Sequence, residues 1–256
     1  MLPLEALIFD VDGTLADTER DGHRVAFNRA FEQAGLDWHW SVELYAELLA
    51  VTGGKERMAY YLEKFNTRFT HNSNTPQLIR DLHKSKTAFY TELLSTGAIP
   101  LRPGVKRLIE EARAQGLRIA ISTTTTPANV SALLEHALAA GSDDWFEVIA
   151  AGDIVPAKKP AADIYLWALE RLKLKPSSCL ALEDSENGIK SSLGASLKTV
   201  ITINDYTRTH DFSGAALVLS DMGEPDRPFK TLAGDNFGSD YLDLNLLRKI
   251  HAAQAL

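Results

Sequence analysis

Five short runs of branched and apolar residues punctuate the chain, LEALIFD near the start and then LRIAIST, FEVIAAGD, CLALED and LKTVITI, each followed at once by polar or glycine-containing sequence. Continuous apolar runs of this length are what a strand needs when both its faces are covered, so they predict buried parallel strands. Between them the period changes. GVKRLIEEARAQG, TPANVSALLEHALAAG and AADIYLWALERLKL carry apolar residues three and four apart, the spacing of an amphipathic helix. Strand alternating with helix predicts an α/β fold built on a doubly wound parallel sheet.

The alternation lapses after the first strand. HRVAFNRAFEQAGL, VELYAELLA, GKERMAYYLEKF and TPQLIRDLHKSKTAFYTELL all read as helices with no strand among them. This predicts an α/β core of residues 1–18 and 97–256 interrupted by an α-helical cap of residues 19–96. The core resumes at LRPGV, where Pro103 suits the first turn of a helix. After Asp221, GEPDRPFKTLAGDNFG is rich in glycine and proline and reads as loop, and SDYLDLNLLRKIHAAQ reads as a closing amphipathic helix.

Composition narrows the classes. The chain has 256 residues, 45% hydrophobic and 24% charged, as in ordinary soluble globular proteins. No apolar stretch approaches the roughly 20 residues of a membrane span. MLPLEALIFD lacks a basic leader and a small-residue cleavage site, so a cytoplasmic protein is expected. A net charge of -7 argues against a general nucleic-acid binder. We expect a monomer that works on a small molecule, without membrane or nucleic-acid partners. The single cysteine, Cys179, lies in an apolar run, forms no internal disulfide and reads as a buried inert thiol.

The candidate chemistry sits where the strands end, the place at which open α/β sheets gather ligands. Asp10 and Asp12 follow the first strand, two residues apart. One carboxylate there can attack an electrophile while the other moves a proton. Two anions beside a phosphate call for a cation, and oxygen ligands favour Mg²⁺. Ser122 and Thr123 to Thr126 follow the second run and offer hydroxyls and amides to an oxyanion. VPAKKP supplies Lys158 and Lys159 for a transferring phosphoryl group, and Glu183 with Asp184 can complete an octahedral metal site. Each feature has a plainer reading: a solvated turn at DVDG, a cap at Ser122, a surface loop at KKP, a cap at ED. Four of them at four strand ends favour a shared site.

In order, DVDGT (Asp10 to Thr14), Ser122, Lys159-Pro160 and Glu183-Asp184 resemble the four motifs of the haloacid dehalogenase superfamily of phosphotransferases. The resemblance implies that Asp10 is the nucleophile, that Asp12 is the general acid and base, and that Ser122 and Lys159 hold phosphoryl oxygens. It implies Mg²⁺ bound by Asp10, by the backbone carbonyl of Asp12 and by Asp184, with Glu183 close by or bound through water. Members that cleave carbon–halogen bonds typically lack the second aspartate, so phosphate chemistry is implied. The helical insertion resembles the family's substrate-selecting cap.

A narrower resemblance runs through FDVDGTLADTE, GLDWHW, GGKER, LRPGV, TTTTPANVSALL, KKPAADIY and LEDSENGIK, which are similar to the CbbY-type phosphatases encoded with the Calvin cycle of autotrophic bacteria. It implies hydrolysis of xylulose 1,5-bisphosphate, a Rubisco inhibitor, to xylulose 5-phosphate. A bisphosphate needs a second cationic site, for which Lys55, Arg57, His83 and Lys86 are candidates. Gly53 and Gly54 would let amides approach the substrate, and Glu19 and Tyr45 could bond sugar hydroxyls. The plainer alternatives are a solvated helix start at GKER, a core position for Tyr45, and surface positions for His83, Lys86 and His23. Trp38 to Trp40 read as cap packing.

Three features depart from the family pattern: TERDGH is one residue longer before its histidine, Ala162 stands where proline is common, and two adjacent lysines compete for the phosphate contact, of which Lys159 is chosen because it precedes Pro160. The rival functions are a hexose-phosphate mutase of the β-phosphoglucomutase type and a receiver-like phospho-acceptor module.

Overall fold

The computed structural model describes residues 3–253. Its frame is a seven-stranded sheet in the order β3-β2-β1-β4-β5-β6-β7, formed by β1 (Ala6–Phe9), β2 (Arg118–Thr123), β3 (Val148–Ala151), β4 (Cys179–Glu183), β5 (Lys198–Thr202), β6 (Leu217–Leu219) and β7 (Thr231–Gly234). Every neighbouring pair is parallel except β6 with β7. The five apolar runs are β1 to β5, contiguous from the β3 edge inward, and β1 and β4 are buried at every position because helices cover both faces. On one face pack α5 (Val105–Ala114), α6 (Pro127–Leu133) and α9 (Leu244–Ala252), and on the other α7 (Asp163–Leu172); α8 (Glu186–Gly194) packs on β5.

Two sequence expectations are corrected, and one strand, β6, had not been anticipated. The tail expected to be loop contributes β7, four exposed residues whose glycine-containing TLAG has no apolar alternation to announce it. β6 is only three residues long, too short to show a period. Pro103 lies outside the helix it was expected to start. Gly104 caps α5 at φ 82, and a Cβ at that position would collide with the Gly223 carbonyl, so the turn needs glycine there and the helix begins at Val105. The closing helix α9 is present, while Gln254, included in its predicted span, lies outside the described residues, as do Met1 and Leu2 of the N-terminal reading.

Between β1 and α5 the chain forms α1 (Arg24–Gln33), α2 (Val42–Leu48), α3 (Gly54–Lys64) and α4 (Thr75–Ser95), preceded by a single π-turn, Glu19–His23. These helices enclose an apolar cluster of their own, in which Trp38 and Trp40 pack edge-on against Phe31 at ring distances of 5.4 and 4.9 Å while His39 between them faces water. The two chain crossings that bound the segment are paired. Ala16 bridges Leu101, and the Arg102 amide donates to the Leu15 carbonyl at 2.8 Å.

Among the described residues no helix is long and apolar enough to cross a membrane. Trp40 is fully buried in the cluster of the helical segment, so Trp40→Ala should lower the unfolding free energy by about 3–5 kcal/mol in denaturant titrations. Leu166→Ala, at a residue 50% exposed, should change it by about 0.5 kcal/mol or less.

Candidate active site

The sheet order reverses at β1, with β2 on one side and β4 on the other, which opens a crevice beyond the carboxyl ends of these strands. Asp10 continues β1 by donating its amide to the Leu182 carbonyl of β4 at 2.9 Å, so its side chain is fixed at the mouth of that crevice. Ser122 and Thr123 end β2, Glu183 ends β4, and Asp184 follows it. Gly13, at φ 89, lets the loop after Asp12 pass against Asp184 and Asn204; a Cβ would come within 2.6 Å of the Asn204 amide nitrogen.

Lys159 reaches into this group from the loop after β3. Its Nζ lies 2.6 Å from Asp10 Oδ1 and 2.5 Å from Glu183 Oε1, and also donates to the Ser122 carbonyl at 2.9 Å. Burial pulls its pKa down, but the two carboxylates outweigh burial and hold the ammonium above the usual lysine range. Lys158, its neighbour, points elsewhere, pairing with Glu56 at 2.9 Å and Asp153 at 2.8 Å. Tyr165 donates to Glu183 Oε1 at 2.6 Å, so that oxygen is engaged twice from the protein side. Ser122 Oγ is buried without a hydrogen-bond partner among the described residues, as expected of a donor kept for a ligand.

One ammonium does not balance the anions here. Asp10, Glu183 and Asp184 each offer an oxygen within 4.8 Å of the others. Burial raises the Asp10 carboxyl to about 7 despite Lys159, and burial with Asp10 and Glu183 pushes Asp184 well above the usual carboxylate range. A buried cluster of oxygen donors with surplus negative charge fits a hard divalent cation such as Mg²⁺. The expected ligand set divides, however: the carboxylate of Asp12 is turned away from this cluster and grouped with Glu19 and His23, leaving its backbone carbonyl as the atom that could take part.

Asp12 Oδ1 accepts from Thr18 at 2.6 Å and from His23 Nε2 at 2.9 Å. Burial opposes ionisation, yet His23, supported by Thr18 and Lys86, holds the carboxyl well below the ordinary range. His23 is 4% exposed, which corrects its expected place on a helix surface: its ring packs on Tyr90 at 4.1 Å and its Nδ1 meets Lys86 Nζ at 2.7 Å. Lys86 is buried too, and burial lowers it to about 8 against the opposing charges of Glu19 and Asp12.

Glu19 joins Tyr45 and Arg57. Tyr45 donates to Glu19, and Arg57 Nη1 donates to the Tyr45 hydroxyl at 2.7 Å. Tyr45 therefore has both a core position and a polar task. A cavity of about 260 Å³ extends from Asp10, Thr123 and Lys159 past Glu19 and Arg57. A smaller one of about 50 Å³ shares Asp12, Glu19 and Arg57 with it and is lined by Gly53, Gly54, Lys55, His83 and Lys86. Burial, together with Lys86, Lys55, His23 and Lys158, pushes His83 down to about 4, which marks this lobe as electropositive. Lys55 is partly neutralised by Asp153 at 2.5 Å.

Sequence reasoning missed three contributors. Asn204, beyond β5, donates to Asp184 Oδ2 at 2.6 Å. Thr14 donates to Asp10 Oδ2 at 3.3 Å. Arg102, 8% exposed, donates to the carbonyls of Gly13, Thr202, Ile203 and Ser220, tying the loop after β1 to the ends of β5 and β6. A search of the fifth strand end for polar residues would have found Asn204; nothing local signals Arg102.

A family model described as haloacid dehalogenase-like hydrolase matches residues 4–195. The protein CbbY of Rhodobacter capsulatus is 51% identical over 221 residues, covering 86% of this chain and 95% of the relative. The crystal structure of CbbY from Rhodobacter sphaeroides in complex with phosphate superposes with a TM-score of 0.78 at 45% identity, covering 85% of this chain and 94% of that one. A mutant of the same protein in complex with xylulose-1,5-bisphosphate gives the same TM-score, 0.78, at 44% identity and the same coverage, 85% and 94%. Together with the acidic nest at the strand ends, these likenesses show that the chain belongs to the haloacid dehalogenase-like hydrolase family, beside the CbbY phosphatases.

Proposed function

We propose that the protein is a Mg²⁺-dependent sugar-bisphosphate phosphatase that works through an aspartyl-phosphate on Asp10 and converts xylulose 1,5-bisphosphate to xylulose 5-phosphate. The observation that carries this reading is the convergence of Asp10, Lys159 and the unpartnered Ser122 hydroxyl at one strand mouth. The choice of sugar rests on the likeness to the Rhodobacter sphaeroides protein in complex with that bisphosphate.

The chemistry follows from the surroundings of each group. Asp10 attacks phosphorus through a carboxylate oxygen, and the leaving sugar oxygen takes a proton from Asp12, which has to gain that proton as the protonated phosphate enters, because without substrate its surroundings hold it ionised. Asp12 then withdraws a proton from the water that cleaves the acyl phosphate, which restores both carboxyl groups. Lys159 and Ser122 donate to the phosphoryl oxygens as charge moves onto them. Mg²⁺, held by Asp10, Asp184 and the Asp12 carbonyl with Glu183 near, would supply charge neutralisation between the nucleophile and the phosphoryl group. Glu183 has a second task in keeping Lys159 charged and aimed.

Residues 19–96 act in this reading as a cap over the core of residues 1–18 and 97–256, excluding water while the acyl phosphate forms. The electropositive lobe beside Gly53, Gly54, Lys55, His83 and Lys86 takes the second phosphate, and Glu19 and Arg57 take the sugar between; Tyr45, expected to bond the sugar, lies fully buried outside both cavities and holds Glu19 and Arg57 instead.

Asp10→Asn should reduce phosphate release by on the order of 10⁴-fold and abolish the acid-stable phosphoenzyme seen by rapid quench, while chelation of Mg²⁺ should stop the wild type reversibly. A phosphate-release panel over sugar mono- and bisphosphates should favour bisphosphates; a preference for monophosphates would remove the second-phosphate assignment and leave the mechanism standing, and isomerisation without phosphate in NMR would favour a mutase. Lys86, lowered to about 8, is charged below that pH and neutral above it. Its contribution to anion binding is therefore present below pH 8 and lost as pH rises through it, so KM should climb across that range. Lys86→Met should raise KM by about 10- to 100-fold and flatten this part of the profile.

A further inference from the structure

Two residues five apart bond the same atom. Thr18 Oγ1 and His23 Nε2 both reach Asp12 Oδ1, at 2.6 and 2.9 Å. On an α-helix, positions five apart are about 140° away from alignment, so both side chains could not point at one oxygen. The backbone between them is not α. Residues Glu19–His23 form a π-turn, closed by the Arg24 amide on the Glu19 carbonyl, and this wider turn restores the alignment.

Its neighbours hold that register. Gly22 lies against Tyr90 of α4 and Ile99 beyond its end, and a Cβ there would come within 2.6 Å of both. Lys86, on the same helix, can only donate, so His23 Nδ1 accepts from it and the ring proton sits on Nε2, directed at Asp12. The exposed members of the turn, Arg20 and Asp21, bond each other at 2.8 Å and take no part in the contact with Asp12. Asp12 Oδ2 receives no hydrogen bond from any described side chain, in contrast to the doubly bonded Oδ1.

We propose that the π-turn Glu19–His23 is a positioning element for the reaction: it brings Thr18 and His23 onto one oxygen of Asp12, fixing Oδ1 and leaving Oδ2 as the oxygen that exchanges the proton. This rests on the acid–base role of Asp12 given above. Because α4 supplies both Lys86 and the Tyr90 ring under Gly22, the turn also makes the aim of Asp12 depend on the seating of that helix. Thr18 and His23 are positioning residues in this scheme, acting on the substrate only through Asp12.

The test is to change the length of the turn and read kcat and KM separately for phosphate release from xylulose 1,5-bisphosphate with Mg²⁺. Deleting Asp21 gives a four-residue spacing that an α-turn aligns, and kcat should stay within about fivefold of wild type. Inserting one alanine between Asp21 and Gly22 gives a six-residue spacing that neither turn aligns; kcat should fall about 100-fold with KM within threefold. In a Thr18→Val/His23→Leu background the insertion should cost nothing further, a non-additivity that general damage to the fold would not produce. If circular dichroism shows the insertion variant unfolded, Gly22→Ala takes its place in the same comparison. The proposal is overturned if deletion and insertion lose kcat equally, if the insertion keeps kcat within threefold, or if its loss is the same in both backgrounds. Asp12→Ala run alongside separates the two levels: full kcat there would sink the acid–base role itself.

Discussion

A single ammonium group among buried carboxylates is the constraint around which the rest is arranged. Lys159 sits within 2.6 Å of Asp10 and 2.5 Å of Glu183, in a place where an unpaired charge of either sign would be severely penalised. The sheet order brings the ends of β1 and β4 together, the loop after β3 returns Lys159 between them, Tyr165 donates to the same Glu183 oxygen as Lys159, and Asn204 donates to Asp184. The nest still carries more negative than positive charge. That imbalance makes it receptive to a divalent cation and gives a phosphoryl group donors to meet.

The two aspartates that stand two residues apart are driven in opposite directions by their surroundings. Burial lifts Asp10 to about 7, whereas His23, Thr18 and Lys86 keep Asp12 ionised in spite of burial. This order is the reverse of the one the proposed reaction uses, so the incoming phosphate and a divalent cation have to favour an ionised Asp10 and a protonated Asp12 before the phosphoryl group moves. The division also has a spatial side: what steadies Asp10 belongs to the sheet, and what steadies Asp12 belongs to the turn Glu19–His23 and to α4.

The legible parts of the molecule are those that leave a local pattern. Strands covered on both faces must be apolar throughout, so β1 to β5 could be read, and the four helices of the insertion followed from their period. The positions of Asp10, Ser122, Glu183 and Asp184 at strand ends were visible too, because they interrupt apolar runs, and Lys159 stood out as one of two adjacent lysines before a proline in the loop after the third run. β6 and β7 were not, being three residues and four exposed residues long. Gly104 displaced Pro103 from the helix it was expected to open, through a backbone contact with Gly223 about 120 positions away. The extra residue in TERDGH was visible as a count but not as a shape, since a π-turn has no distinct apolar period; only the fold reveals that His23 is turned inward. Arg102 is the extreme case, a surface-type residue whose partners, main-chain carbonyls, the Thr202 hydroxyl and the Asp17 carboxylate, are gathered by the fold.

The Ala16–Leu101 bridge makes the exit and the return of the helical segment a single doorway in the core. Whatever chain is hung between those two residues needs only to bring its own ends side by side, and Arg102 keeps the doorway braced to the sheet. The segment also has its own apolar cluster, so its interior can drift in sequence without reaching the strands. The packing of the segment is thus separable from that of the sheet, and a change of length or sequence between Ala16 and Leu101 can be taken up on the far side of the doorway while the acidic nest stays as it is.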